Sequence, residues 1–223
     1  MTRTVAVTGA AGALGRKTVE VLKQAGWQVV GIDLAPGPFE GADLAIGGVD
    51  LTDEAAMTAA AGQIESRFGR LDGLVNIAGG FRWETIGDGD LATWDKLYAM
   101  NVKTTLVSSR ALTPLLLAAK GSIVNIGAAA ATKAAMGMGA YAASKAGVAR
   151  LTEALAEELK DAGVRVNAVL PSIIDTEANR KDMPDAEFDR WVTPQALANV
   201  VAFLLSPEAS AVTGALLPVT GRV

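Results

Sequence analysis

The chain has 223 residues, half of them hydrophobic, and a formal net charge of −4 with no Lys/Arg block, so it can bury one large core and offers no basic track to nucleic acid or an anionic membrane. It contains neither Cys nor His, which excludes disulfides and thiol catalysis and removes the commonest metal ligand and general base. No metal site is expected, catalysis must use Tyr, Lys, Ser/Thr, carboxylates or a bound cofactor, and the lack of a leader-like N-terminus or long apolar run predicts a cytoplasmic protein.

Thr4 to Thr8 is a short apolar run that stops at Gly9, and Gly12 to Ala25 reads as a helix with Leu14, Val19, Val21 and Leu22 on its apolar face. A strand from Gln28 to Ile32 ends on Asp33, which completes a strand, Gly loop, helix, strand unit. Leu44 to Ile46 is a third strand, followed by Asp50-Leu51, a helix from about Asp53 to Phe68, and a buried strand from Leu71 to Ile77. The small residues Ala78, Gly79 and Gly80 after Asn76 leave room for a flat ligand above the strand ends. A long helical pattern over roughly Leu91 to Ala119 carries Asn101 in its middle, and Pro114 is expected to kink or restart it. Ser122 to Ile126 is a fifth strand, Tyr141 to Ala162 a helix, and Val164 to Leu170 a sixth strand stopped by Pro171. Residues 175–191 form a less apolar segment suited to covering a substrate, before a helix from Thr193 to Leu205 and a last strand from Ala215 to Val219. This alternation predicts an α/β, Rossmann-type doubly wound parallel sheet of about seven strands with helices on both faces, in a single domain over residues 1–223.

Gly9, Gly12 and Gly15 lack the Cβ atoms that would keep a pyrophosphate from the backbone N–H groups at a helix N-terminus. Asp33, at the end of the second strand, can accept from both ribose hydroxyls and repels a 2′-phosphate by roughly 4 kcal/mol per charge pair at about 4 Å. NAD is therefore expected, and NADP disfavoured. Tyr141 and Lys145 stand four apart, on one helix face, so the ammonium is expected to stabilise a phenolate.

Taken in order, Thr8-Gly9 with its glycines, Asp33, Asp50-Leu51, Asn76-x-Ala78-Gly79, Asn101, Tyr141-x-x-x-Lys145 and Pro171 through Thr176 resemble the short-chain dehydrogenase/reductase family over nearly the whole chain. The resemblance implies that Tyr141 is the general acid, that Lys145 lowers its pKa and holds the nicotinamide ribose, and that Asn101 anchors a water in the proton relay. It implies that Asp50 meets the adenine amine and that Ile173 and Thr176 touch the carboxamide, with Leu14, Leu51, Ala78, Gly80 and Pro171 in the cofactor-binding motifs. Two departures stand out. The middle glycine is Gly12, with alanine at position 13, and the family's carbonyl-binding serine would fall at Ala128, inside the run Ala128 to Ala131. Losing one such donor commonly costs about 10²- to 10³-fold in rate on a carbonyl substrate.

A narrower resemblance links Leu170-Pro-x-x-x-Asp175-Thr-x-x-Asn179, Met183, Phe188 and Trp191, together with Gly12 to Gly15 and Ala78 to Gly80, to quinonoid dihydropteridine reductases, which also lack the serine. It implies a flat conjugated diimine as substrate, with Met183 and Trp191 in a lid and Trp83 as a wall; the alternative is that these side chains simply pack the loop. Three functions stay open: such a reductase, a ketone, aldehyde or alcohol dehydrogenase that works slowly or with Thr132 standing in for the serine, and a dinucleotide-binding sensor of low turnover. The family also implies a homodimer or homotetramer, formed through the helices that carry Asn101 and Tyr141.

Overall fold

The computed structural model describes residues 2–223. Seven strands, β1 (Thr4–Thr8), β2 (Gln28–Ile32), β3 (Leu44–Ile46), β4 (Gly73–Asn76), β5 (Ser122–Ile126), β6 (Arg165–Pro171) and β7 (Leu216–Val219), form one sheet in the order β3-β2-β1-β4-β5-β6-β7. Every pairing is parallel. The chain leaves β1 first toward β2 and later returns to its other side as β4, so a crevice opens above the carboxyl ends of β1 and β4, where the winding reverses.

The helices are α1 (Ala13–Gln24), α2 (Glu54–Phe68), α3 (Leu91–Tyr98), α4 (Thr104–Ala119), α5 (Gly139–Leu159), α6 (Glu177–Asp182) and α7 (Pro194–Leu205). Because successive strand residues face opposite sides, β1 sends Ala6 into one core and Val5 and Val7 into the other. Met57 and Ile64 of α2, with Leu112 and Leu116 of α4, fill the first; Leu22 of α1, with Leu197 and Leu204 of α7, fill the second. Fully burying one such side chain stabilises the fold by about 1.5–3 kcal/mol.

Strand ends and helix ends fall within about two residues of the expected positions, as boundaries in such patterns do. Asp53, Asp90, Thr176 and Thr193 cap α2, α3, α6 and α7 with side-chain oxygens on first-turn N–H groups. The long helix is broken somewhere other than predicted. Pro114 lies inside α4 without ending it; the carbonyl it deprives of a donor belongs to Arg110 on the exposed face, where water can serve it. The irregularity is instead a π turn at Ala99–Lys103, which holds Asn101.

One buried polar chain crosses the sheet. Asn76 donates to Ser109 Oγ (3.0 Å) and Asn125 Oδ1 (2.9 Å), and Asn125 donates to Thr152 Oγ1 (2.9 Å). It ties β4 and β5 to α4 and α5. Replacing Asn125 by Ala removes one hydrogen bond each from Asn76 and Thr152, which keep Ser109 and the Val148 carbonyl as partners, and is expected to cost about 2–3 kcal/mol, read as a lower urea midpoint with an unchanged slope.

Candidate active site

The crevice is a cleft of about 700 Å³ lined by the loop from Gly9 to Gly15, by Asp33, Asp50, Leu51, Ala78 and Gly79, and by Met100 and Thr176. Gly9 has φ +68°, and a Cβ on it would lie 2.8 Å from the Ala78 nitrogen. A Cβ on Gly15 would overlap the Gly9 carbonyl oxygen. Only glycine lets the loop fold this tightly against α1 and the end of β4. Thr8 Oγ1 accepts from the Ile77 nitrogen at 3.1 Å and joins the two loops.

Unlike α2, α3, α6 and α7, α1 starts on Gly12 with no side-chain cap, so the positive end of the helix faces the cleft with its N–H groups available. At the far edge Asp33 accepts from the Ala11 nitrogen through Oδ2 and from the Ala35 nitrogen through Oδ1, each at 2.9 Å. Each oxygen keeps a lone pair for a ribose hydroxyl. Asp50 accepts from the nitrogen and hydroxyl of Thr52, and these bonds hold its carboxyl below the usual range. The residues fit a dinucleotide: Gly9 to Gly15 would receive its phosphates, Asp33 and Asp50 its adenosine end, and Gly79 and Thr176 border the path toward Lys145. When bound, a nicotinamide dinucleotide supplies or removes a hydride.

Several expected contacts lie elsewhere. Asn76 turns beneath the sheet into the buried chain described above and does not line the cleft. Pro171 ends β6 paired with Val219. Gly80 sits against the Met100 side chain.

Asn101 is fully buried, and its carboxamide is committed to protein groups. Oδ1 accepts from the Gly80 nitrogen (3.0 Å), and Nδ2 donates to the Gly80 carbonyl (3.1 Å) and to Ser144 Oγ (2.9 Å). With both donors used, the side chain ties the cleft loop to α5, and one lone pair on Oδ1 is left over. Ser144, which the sequence reading missed, passes the link on by donating to the Tyr141 carbonyl at 2.7 Å. It lies three residues after Tyr141, on the face of α5 that meets the π turn, a position that helical spacing could have shown.

Tyr141 and Lys145 share the inner face of α5, but burial governs both. The phenol is pushed up to about 12 by desolvation, and the Lys145 ammonium is drawn down to about 8 by its complete burial. Lys145 Nζ donates to the Ile126 carbonyl at 2.8 Å. Desolvation by burial is what raises the Tyr141 phenol, and the lowering expected from the lysine does not offset it. Tyr141 is consequently a protonated donor at neutral pH. The Phe81 ring, 54% exposed, stands edge-on to it, with centroids 4.9 Å apart and planes at 86°. Phe81 was also missed; the signal available was an aromatic residue directly after Ala78-Gly-Gly80.

Ala128 is buried and extended at the end of β5, where the serine would sit. Neither Thr132 nor Ser122 replaces it: Thr132 is exposed and donates to the Ala129 carbonyl (2.8 Å), and Ser122, at the opposite end of β5, donates to the Leu204 carbonyl (3.2 Å). Trp83 is 53% exposed, lies over Gly137 and donates from Nε1 to the Met136 carbonyl at 3.1 Å. Met183 is exposed, whereas Trp191 is buried and packs edge-on against Phe188, so Trp191 anchors the 175–191 segment from below. Among the described residues, no group of three or more His, Cys, Asp or Glu side chains is placed to hold a metal ion, and no helix is long and apolar enough to cross a membrane.

Against known proteins, the family model described as "Enoyl-(Acyl carrier protein) reductase" matches residues 9–221. The chain belongs to the short-chain dehydrogenase/reductase family. It is 35% identical to 2-(S)-hydroxypropyl-CoM dehydrogenase 3 of Xanthobacter autotrophicus, over 97% of this chain and 94% of that one. It is also 35% identical to the galactitol 2-dehydrogenase (L-tagatose-forming) of Cereibacter sphaeroides, over 97% and 92%. A short-chain type dehydrogenase/reductase from Mycobacterium ulcerans superposes with a TM-score of 0.91 at 29% identity, covering 99% of this chain and 89% of that one. This short-chain enzyme is accordingly an NAD(P)-dependent oxidoreductase acting on a small molecule.

Two outcomes follow from the buried pair. Lys145 binds a proton more weakly folded (about 8) than unfolded (10.5), so the unfolded state holds more protons between those values. The charged form therefore destabilises the fold below about pH 8, on the order of 3 kcal/mol, and the penalty disappears as pH rises through the window. Lys145→Met should accordingly gain most stability over wild type near about pH 6 and least above about pH 10.5, measured by urea unfolding. Phe81→Ala should raise KM by roughly tenfold, the loss of one aromatic contact, with NADH affinity unchanged by fluorescence titration.

Proposed function

We propose that this protein is an NADH-preferring reductase of a flat, conjugated imine or carbonyl compound, with a quinonoid dihydropteridine as the candidate substrate. The observation that carries this is the buried Ala128, with the hydroxyls of Thr132 and Ser122 both committed to backbone carbonyls. A simple ketone needs a donor on the oxygen that becomes negative as hydride arrives. A conjugated diimine spreads that charge over ring nitrogens. Hydride adds to substrate, the C=N π pair moves to nitrogen, and the Tyr141 phenol delivers the proton that completes the N–H bond. The resulting phenolate is then reprotonated from solvent. Phe81, Trp83 and Met183 offer exposed apolar surface suited to a flat ring, above a segment anchored by Trp191. Asp33, fixed by two backbone N–H groups, supports NAD over NADP, and Arg16 donates to the Ala11 carbonyl at 2.6 Å. Leu106 and Leu117 leave the outer face of α4 partly apolar, which supports pairing into a homodimer or homotetramer.

A second reading has its own support: the relatives above are named as dehydrogenases of hydroxylated substrates. On that reading the enzyme oxidises an alcohol or reduces a ketone, without the serine. NADH consumption by the purified protein, compared across freshly generated quinonoid dihydropterin, simple ketones and sugar alcohols with NAD, separates the two. Fast turnover of the pterin with little on ketones is expected, and preferential turnover of ketones or alcohols overturns it. Tyr141→Phe should bind NADH normally and lose at least about 10²-fold in turnover, the contribution of general acid catalysis. Unchanged turnover in that variant would remove Tyr141 as the acid.

A further inference from the structure

At the end of the sheet opposite the dinucleotide cleft lies a second cavity, of about 490 Å³, among the residues that lead into β1, β5 and β6. Four cations line it, Arg3, Lys120, Lys160 and Arg165, and the carboxylate among its lining residues is Asp72. That is a concentration of positive charge on a chain whose net charge is −4. Asp72 is already engaged: one oxygen accepts from the Thr4 nitrogen at 2.9 Å and the other pairs with Arg70 at 3.1 Å. Lys160 pairs with Glu157, and Glu208 stands near enough to Arg3 to feel its charge.

The other cations are underused. Arg165 donates to the carbonyls of Leu204 (2.8 Å), Val212 (3.3 Å) and Ser206 (3.2 Å), and among the described residues it has no carboxylate partner. Arg3 lies with its guanidinium carbon 4.3 Å from the Trp27 ring centre, and its Nη1 is buried with no acceptor among the described residues. A buried donor left without an acceptor is costly and rare. Lys120 makes no ion pair among the described residues and holds φ 51°, a left-handed conformation that a glycine or asparagine adopts with less strain. Its aliphatic stem lies against Gly163 at the cavity wall.

We propose that this cavity binds a small multivalent anion of the phosphate class, of about the size of pyrophosphate. Arginine forks match phosphate oxygens in pairs, and Lys120 adds a point charge. Such a ligand would offset the charges of Arg3, Lys120 and Arg165, none of which has a carboxylate salt-bridge partner among the described residues. Four cations in a concave, local site on an acidic protein suit a small anion rather than a nucleic-acid strand. The ligand would tie the start of β1 to the end of α4 and the start of β6, at the far end of the strands from Tyr141. Its effect is therefore on stability and not on hydride transfer.

Calorimetric titration of inorganic pyrophosphate into the full-length protein, with and without saturating NADH, tests this. NADH is needed because the Gly9 to Gly15 loop could also take the probe. Binding that persists with NADH present, weakens with salt, and falls by at least about tenfold in Lys120→Asn and in Arg3→Gln is expected. Asn favours the left-handed conformation, so Lys120→Asn should keep its unfolding temperature, and neither variant should change NADH affinity. Heat that vanishes when NADH is bound, or equal affinity in wild type and both variants, overturns the proposal.

Discussion

The active site depends on the carboxamide of Asn101. Held in the π turn between α3 and α4, it closes on both backbone groups of Gly80 and on Ser144, whose hydroxyl reaches the Tyr141 carbonyl. One side chain thereby couples the cleft loop after β4 to the helix that carries Tyr141. An α-helical turn would have a different register, and the five-residue turn sets where this group points. Gly79 completes the arrangement, since a Cβ there would stand 2.5 Å from Asn101 Oδ1 and 3.5 Å from Lys145 Nζ. Cofactor cleft, lysine and carboxamide meet at a residue with no side chain.

Electrostatics inside this assembly is controlled by dryness. Tyr141 and Lys145 are both pushed toward their neutral forms, in opposite directions on the pH scale. The tyrosine therefore keeps its proton at neutral pH, and the lysine's hydrogen bond to Ile126 fixes where the ammonium sits. The Asp33 carboxylate, by contrast, is held by peptide N–H groups at the cleft edge, where ribose hydroxyls can still reach it.

Much of this was legible in the sequence, because strand and helix periods are local. The run from Thr4 to Thr8, the glycine triplet, the terminal Asp33 and the β5 strand stand where residue patterns put them. What escaped was long-range. Asn76 carries the same residue type whether it faces a ligand or a buried Ser109 and Asn125, and only the sheet and α4 decide between them. Pro114 reads as a breaker yet lies inside α4, opposite the exposed residue Arg110, whereas the π turn at Asn101 has no residue signature of its own. Trp191 is an aromatic that burial claimed, and Phe81 one that the site kept exposed.

The chemical identity of the substrate rests on the missing hydroxyl at position 128. The most direct measurement is kcat/KM of Ala128→Ser against wild type, on a quinonoid dihydropterin and on a simple ketone side by side. The account predicts a ketone rate raised by about 10²- to 10³-fold, the value of one restored donor, with the pterin rate little changed. A ketone rate unmoved by the serine, or a pterin rate raised as much as the ketone's, would contradict it.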